Sequence, residues 1–200
     1  MEQEEMKNNE VQSSEMQSNE MPKKSGKGKA VMKELISWVV VIAVALGLGY
    51  VLNNYVILKA EIPSGSMENT LMVGDRLIGN RLAYVFSEPK RGDIVMFDFP
   101  DDEEKLYVKR VIGLPGEHVE IIDGLVYINH SETPLDEPYL KEAPDKFNGT
   151  YDVPEGCYFM MGDNRNSSWD SRKWTNPFVK KEKIQCKAWI RYQPDFTFLK

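Results

Sequence analysis

The order of polar and apolar positions divides the chain into four stretches. Residues 1–21 (MEQEEMKNNEVQSSEMQSNEM) hold six Glu, one Lys and no aromatic residue. Such a stretch buries too little apolar area to offset chain entropy, so a disordered tail is expected there. Residues 22–33 (PKKSGKGKAVMK) reverse the sign, with Lys23, Lys24, Lys27, Lys29 and Lys33 and no acid. The next 24 positions, 35–58 (LISWVVVIAVALGLGYVLNNYVIL), carry no charge at all. As a helix they would rise about 36 Å at about 1.5 Å per residue, enough to cross a hydrocarbon core of about 30 Å. From Lys59 onward the pattern breaks into short apolar runs separated by Gly, Pro and Asp.

A buried helix of a soluble domain does not fit the third stretch, because the rest of the chain is too small to enclose it on all sides. A cleaved leader does not fit either: the run exceeds an ordinary h-region and no small-x-small site closes it. The expectation is a retained, single-pass signal anchor over 34–58. Five lysines precede it and only Lys59 follows closely. The positive-inside bias then keeps 1–33 in the cytoplasm and carries 59–200 to the outer face of the cell membrane. Trp38 and Tyr55 stand near the two ends, where amphipathic rings favour the lipid interface. The basic run contributes a topology signal and contact with anionic lipid.

The part beyond the anchor reads as strands. IVMFDF (94–99) and KLYVKRVI (105–112) are rich in β-branched and aromatic residues. Residues 119–122 and 125–128 flank Asp123-Gly124, a pair suited to the positive φ angles of a type I′ hairpin turn. CYFMM (157–161) and 184–192 supply further strands, and 76–86 holds a weak helical spacing. A looser insertion is expected over 131–150 (SETPLDEPYLKEAPDKFNGT), which is rich in Pro, Asp and Glu. Together these predict a mostly β fold: an antiparallel sheet or barrel-like domain over 59–200 behind one N-terminal transmembrane helix.

Composition narrows the function. In 200 residues, 42% are apolar and 28% charged, with a net charge of −6. A packed core is affordable, and an acidic chain argues against nucleic acid as a partner. Two cysteines exclude a disulfide-dense scaffold and a four-cysteine zinc site, and two histidines outside any Cys/His cluster predict no metal centre. Cys157 and Cys186 leave a single disulfide open, since sequence does not place their Cα atoms. His118 and His130 have no neighbour that would orient an imidazole and read as surface residues. Cys157 has no nearby base to activate it and reads as a small apolar residue.

Three other segments carry chemistry. Ile62-Pro63-Ser64-Gly65-Ser66-Met67 sets two hydroxyls about a glycine, just beyond the anchor. In 107–117 (YVKRVIGLPGE), Lys109 interrupts an apolar strand; alternation places it on the face of Tyr107 and Val111. Residues 162–172 read GDNRNSSWDSR. Each alone is also a turn or a solvated face. In this order, with GDRL at 74–77 and behind a membrane span, they resemble type I signal peptidase, a Ser–Lys peptidase family, in its Gram-positive single-span form.

That resemblance implies a serine endopeptidase that removes signal peptides from secretory preproteins. Position by position, Ser66 matches the nucleophile and Lys109 the general base. Ser64 matches the hydroxyl that completes an oxyanion hole with the Ser66 N–H. Ser168 matches the serine that fixes the lysine, and Asp163, Arg165, Asp170 and Arg172 match supporting polar positions. Pockets for small residues at −1 and −3 of the preprotein would involve Ile62, Pro63, Met67, Leu71, Tyr107 and Val108. No cofactor or metal is implied. Asn69 departs from the family, which usually has Pro there, and this removes a φ constraint from the turn after the nucleophile.

A lysine base must be neutral to accept a proton, so its pKa must fall from a free value of about 10.4. Burial supplies that shift and a carboxylate would oppose it. Two other readings share the sequence. A catalytically silent, membrane-anchored β domain acting in binding or regulation would be expected to lack Ser66 or Lys109. A self-cleaving Ser–Lys peptidase of the repressor type would carry a DNA-binding domain in place of the span.

Overall fold

The structure, a computed structural model, describes residues 27–199. The expected tail at 1–21 lies outside the described residues. The first element, α1, is the helix Lys27–Val51, continued by a π-helical turn at Leu52–Val56. Its apolar segment Val31–Val56 is 26 residues long and exposed along its length. An uninterrupted apolar surface on every side suits lipid rather than a protein core. Ile57 and Leu58, which hydropathy alone assigns to the anchor, instead open the first strand.

The strands in chain order are β1 (Ile57–Glu61), β2 (Arg76–Asn80), β3 (Ile94–Phe99), β4 (Asp102–Gly113), β5 (His118–Ile122) and β6 (Leu125–Ile128), followed by β7 (Gly149–Asp152), β8 (Cys157–Met161), β9 (Phe178–Lys180), β10 (Ile184–Gln193) and β11 (Thr197–Phe198). The large sheet runs β1-β2-β10-β3-β4-β8-β9, with β11 added to β10, and the small sheet runs β6-β5-β7. Every pairing is antiparallel. The weak helical spacing at 76–86 is overturned: Arg76–Asn80 is β2, and turns follow in which Leu82, Val85 and Phe86 stay exposed.

The near-continuous apolar run in β3 marks a strand covered on both faces. Ile94 and Met96 join Ile62, Met67, Leu71, Leu77, Cys186 and Ala188 on one side. Val95, Phe97 and Phe99 join Val111, Tyr158, Met160, Trp174 and Val179 on the other. A third cluster, with Ile112, Val119, Ile121, Val126, Phe159 and Met161, joins the small sheet to β4 and β8. The expected hairpin is present, with Asp123 at φ 49° and Gly124 at φ 89°. Cys157 and Cys186 are both free thiols, which closes the disulfide question. The insertion is less loose than its composition suggests, because Gly149 and Thr150 belong to β7 and Glu137, Tyr139 and Lys141 bond to residues around Ser66 and Arg165.

Candidate active site

Ser66 sits in a single 3₁₀ turn, Gly65–Met67, directly after β1. Two apolar anchors fix that turn: Met67 is 1% exposed and Leu71 is fully buried, both in the cluster beneath β2 and β3. The segment 162–164 fixes it from the other side. The Asn164 N–H donates to Ser66 O at 3.1 Å, and Asn164 Nδ2 donates to Gly65 O at 2.9 Å. A Cβ on Gly162 would lie 2.3 Å from Ser168 Oγ and 2.4 Å from Ser66 O, so only glycine allows this approach. Gly162 and Asn164 are site residues that sequence reasoning missed as roles, although both stand inside the GDNRNSSWDSR segment.

Lys109 arrives from β4, paired with Val95 of β3. Its Nζ lies 2.5 Å from Ser66 Oγ across 43 positions of sequence, donating in a buried bond. Its amine also stands 5.6 Å from the Tyr107 ring centroid. Burial is the main cause that pulls the Lys109 pKa down, to about 8; Asp170 and Asp163 oppose it and Arg172 assists it. This is the direction a lysine base requires.

Those buried acids are each committed to an arginine. Arg110 clamps Asp163 through Nε at 2.8 Å and Nη2 at 2.6 Å. Arg172 clamps Asp170 through Nε and Nη2, both at 2.8 Å. Arg165 clamps Glu137 in the same bidentate way. Asp170 also accepts the Gly162 N–H at 3.1 Å. Burial pushes the Asp170 carboxyl up, but its bond and attraction to Arg172, with help from the Gly162 N–H, hold it below the ordinary carboxylate range. Asp163 reaches the Ser66 loop through Thr70 Oγ1, which donates to it at 2.5 Å. The four supporting residues therefore form paired charges under the site, and Arg110, Glu137 and Thr70 belong with them.

The structure does not make two of the expected contacts. Ser168 does not bond Lys109: its Oγ is buried and has no hydrogen-bond partner. Leu71 does not line the cleft, because it is buried whole in the core under Met67. The other expected contacts cluster. Ser64 Oγ lies 3.5 Å from Ser66 Oγ. Ile62, Pro63, Met67, Tyr107 and Val108 line a cleft of about 570 Å³ that opens on Ser64, Ser66 and Lys109. Ser167 and Trp169 line it too, and nothing in their sequence context distinguished them from turn residues.

Asn69 adopts φ 86° behind Glu68 at φ −55° and ψ 148°, the pattern of a type II turn. Proline is held near −65° and does not fit that φ. The loop is not loosened by the change: Asn69 Nδ2 donates to Tyr139 O at 3.1 Å and ties the turn to the insertion.

With the geometry in place, comparison with known proteins is informative. The family model described as "Signal peptidase, peptidase S26" matches residues 35–193. The chain is 41% identical over 160 residues to the probable signal peptidase I-2 of Synechocystis sp., covering 77% of this chain and 70% of that one. It is 38% identical over 172 residues to signal peptidase I of Bacillus caldolyticus, covering 78% and 88%. A crystal structure of a signal peptidase I from Enterococcus faecalis is 36% identical and covers 50% of this chain and 97% of that one, with a TM-score of 0.43.

Proposed function

Because the chain belongs to the signal peptidase family of peptidase S26, a family of serine endopeptidases that remove signal peptides from secretory preproteins, we propose that Ser66 and Lys109 are its catalytic pair. The observation that carries this reading is the 2.5 Å approach of a buried amine to a buried hydroxyl, with no carboxylate paired to the amine. Neutral Lys109 accepts the Ser66 proton as Oγ attacks the scissile carbonyl. The protonated amine then donates to the leaving nitrogen, and the same amine activates the water that hydrolyses the ester to Ser66. The Ser66 N–H and the Ser64 hydroxyl receive the oxyanion; one such donor is commonly worth about 10²–10³ in rate. Ser168 Oγ, buried without a partner, is the acceptor for Lys109 once Ser66 turns toward substrate.

The cleft suits an extended peptide. β1 ends the large sheet and so has one free edge, and β8 pairs with β4 only from Arg110 onward, leaving 106–109 open beside the cleft. A preprotein strand laid between them gains backbone hydrogen bonds on either side. The apolar lining from Ile62, Met67, Tyr107 and Val108 accepts small side chains at −1 and −3. The apolar helix anchors the enzyme in the membrane, with the lysine-rich flank in the cytoplasm and 59–200 on the outer face.

The test is cleavage of a preprotein in detergent by the wild type and by Ser66→Ala and Ser64→Ala. Ser66→Ala is expected to be inactive and Ser64→Ala to lose about 10²-fold or more in kcat. Retention of full activity by Ser66→Ala would overturn the proposal. External protease on intact cells is expected to digest 59–200 and spare the N-terminal flank; the opposite pattern reverses the orientation.

A further inference from the structure

The β5–β6 hairpin brings together both histidines of the chain, at its open end and outside the cleft at Ser66. His118 and Glu120 alternate along β5 and share one face of the small sheet. Asn129 and His130 follow β6 with φ 53° and 59°, a left-handed pair that non-glycine residues seldom adopt. Two hydrogen bonds hold this turn against β5: Asn129 N–H to His118 O at 2.8 Å, and His118 N–H to Asn129 Oδ1 at 2.9 Å. The turn brings His130 back over the strand, so that the two imidazoles stack with centroids 4.3 Å apart. Ligand atoms of His118, Glu120 and His130 all fall within 4.8 Å of one another.

A fourth residue orients the set. Asp152 stands opposite His118 in the register of β7 and β5, and its Oδ1 lies 2.6 Å from His118 Nδ1. With Nδ1 held by a carboxylate, Nε2 is the nitrogen left to bind. A histidine that donates one ring N–H to a carboxylate and offers the other nitrogen to a metal is a recurrent arrangement, in which the carboxylate fixes the tautomer and raises ligand basicity.

We propose that His118, Glu120 and His130 form a zinc-binding site on the small sheet, with Asp152 orienting His118. Two imidazoles and one carboxylate match the donor preference of Zn²⁺ among divalent cations, whereas Ca²⁺ and Mg²⁺ prefer all-oxygen shells. Zinc–ligand bonds run about 2.0–2.2 Å, so the observed spread closes by rotation of side chains that are only partly buried. Water fills the fourth position. Bound zinc ties the turn after β6 to β5 and stiffens the small sheet; it takes no part in peptide hydrolysis.

The experiment uses the full, untagged chain in detergent, stripped with chelator and titrated with zinc chloride by calorimetry. Imidazole NMR signals are followed in parallel, and only two histidines contribute. One equivalent of zinc is expected, with both imidazole signals moving and the thermal midpoint rising. His130→Ala and Glu120→Gln, neither of which lines the cleft at Ser66, are each expected to weaken zinc binding about 10-fold or more while preprotein cleavage stays unchanged. Absence of saturable binding at millimolar zinc would overturn the proposal. So would undiminished affinity in His118→Ala/His130→Ala.

Discussion

Lys105 and Lys109 stand four residues apart on β4, and their surroundings drive them to opposite kinds of chemistry. Lys105 is exposed and reaches Asp102 at 2.7 Å; that bond and the carboxylate charge hold its amine above the ordinary lysine value. Lys109 is 4% exposed, donates to the Ser66 hydroxyl, and is drawn down to about 8 by burial. The difference shows what makes a base from a lysine: loss of water without gain of an anion. Two anions do lie near Lys109, but Arg110 and Arg172 hold Asp163 and Asp170 in bidentate pairs and dilute their pull. Six buried or half-buried charges thus sit beneath the site in three matched pairs, while the amine proposed as the base is left single.

The sharpest way to break this contrast is to remove the amine. Lys109→Met keeps the apolar shape, and kcat/KM on a preprotein is expected to fall by about 10⁴ or more. Its thermal midpoint is expected to hold or rise, because a buried charge is replaced by an apolar chain. Lys109→Arg is expected to be equally inactive, since guanidinium stays protonated. A methyl group at the base of the site comes next. Gly162→Ala collides with Ser168 Oγ and Ser66 O, and is expected to cost about 1–3 kcal/mol in denaturant unfolding and about 10²-fold in kcat.

Disturbing the matched pairs tests how Lys109 is tuned. Arg172→Met leaves Asp170 buried and unpaired, an expected loss of about 3–5 kcal/mol. In the surviving folded enzyme the acidic limb of the pH–rate profile is expected to move upward, because Asp170 then pulls harder on the Lys109 proton; Arg172→Lys should move it less. In the wild type, activity is expected to rise about tenfold per pH unit below about 8 and to level above it, as the amine loses its proton.

Stability carries the same signature. The folded pKa of Lys109 lies below its unfolded value, so between about 8 and 10.5 the unfolded chain binds more protons. Stability is therefore expected to gain roughly 3 kcal/mol as pH climbs through that window, a slope that Lys109→Met should lack. At the other end of the strand, Lys105→Ala is expected to change neither the rate nor the melting midpoint. An effect there comparable to that at Lys109 would dissolve the comparison.

Much of the fold was legible because its signals are local. The alternation and turn residues of 119–128 specify a hairpin on their own, and both turn residues take positive φ as expected. The buried run of β3 needed no partner to be recognised as a strand. Other elements lacked such signals. Ile57 and Leu58 are as apolar as the anchor before them, so only pairing with Asn80 and Gly79 reveals a strand. Arg76–Asn80 has the composition of either state and is decided by its place between β1 and β10. The three-residue β9 and four-residue β7 exist because β8 and β5 offer them edges.

The site divides in the same way. The residues of the Ser66 turn, Lys109 and the 162–172 segment could be named because their motifs, in this order, resemble those of a known family. Leu71 was misjudged because burial depth is not written in a motif, and Asn164 because its backbone and side-chain bonds to the Ser66 turn span almost a hundred positions. Asn129 and His130 are residue types that tolerate the left-handed region, but only the folded turn sets His130 on His118.

By itself the sequence determined a charge-free helix long enough for a bilayer, a β-rich remainder and the chemical groups available to act. Those follow from hydropathy, periodicity and residue type, which belong to short stretches of chain. Only the tertiary structure decided that Lys109 would be dry, that it would meet Ser66 rather than a carboxylate, and that the nearby acids would be taken by arginines. Dielectric surroundings and pairings across 43 to 99 positions are properties of packing, and no local stretch contains them.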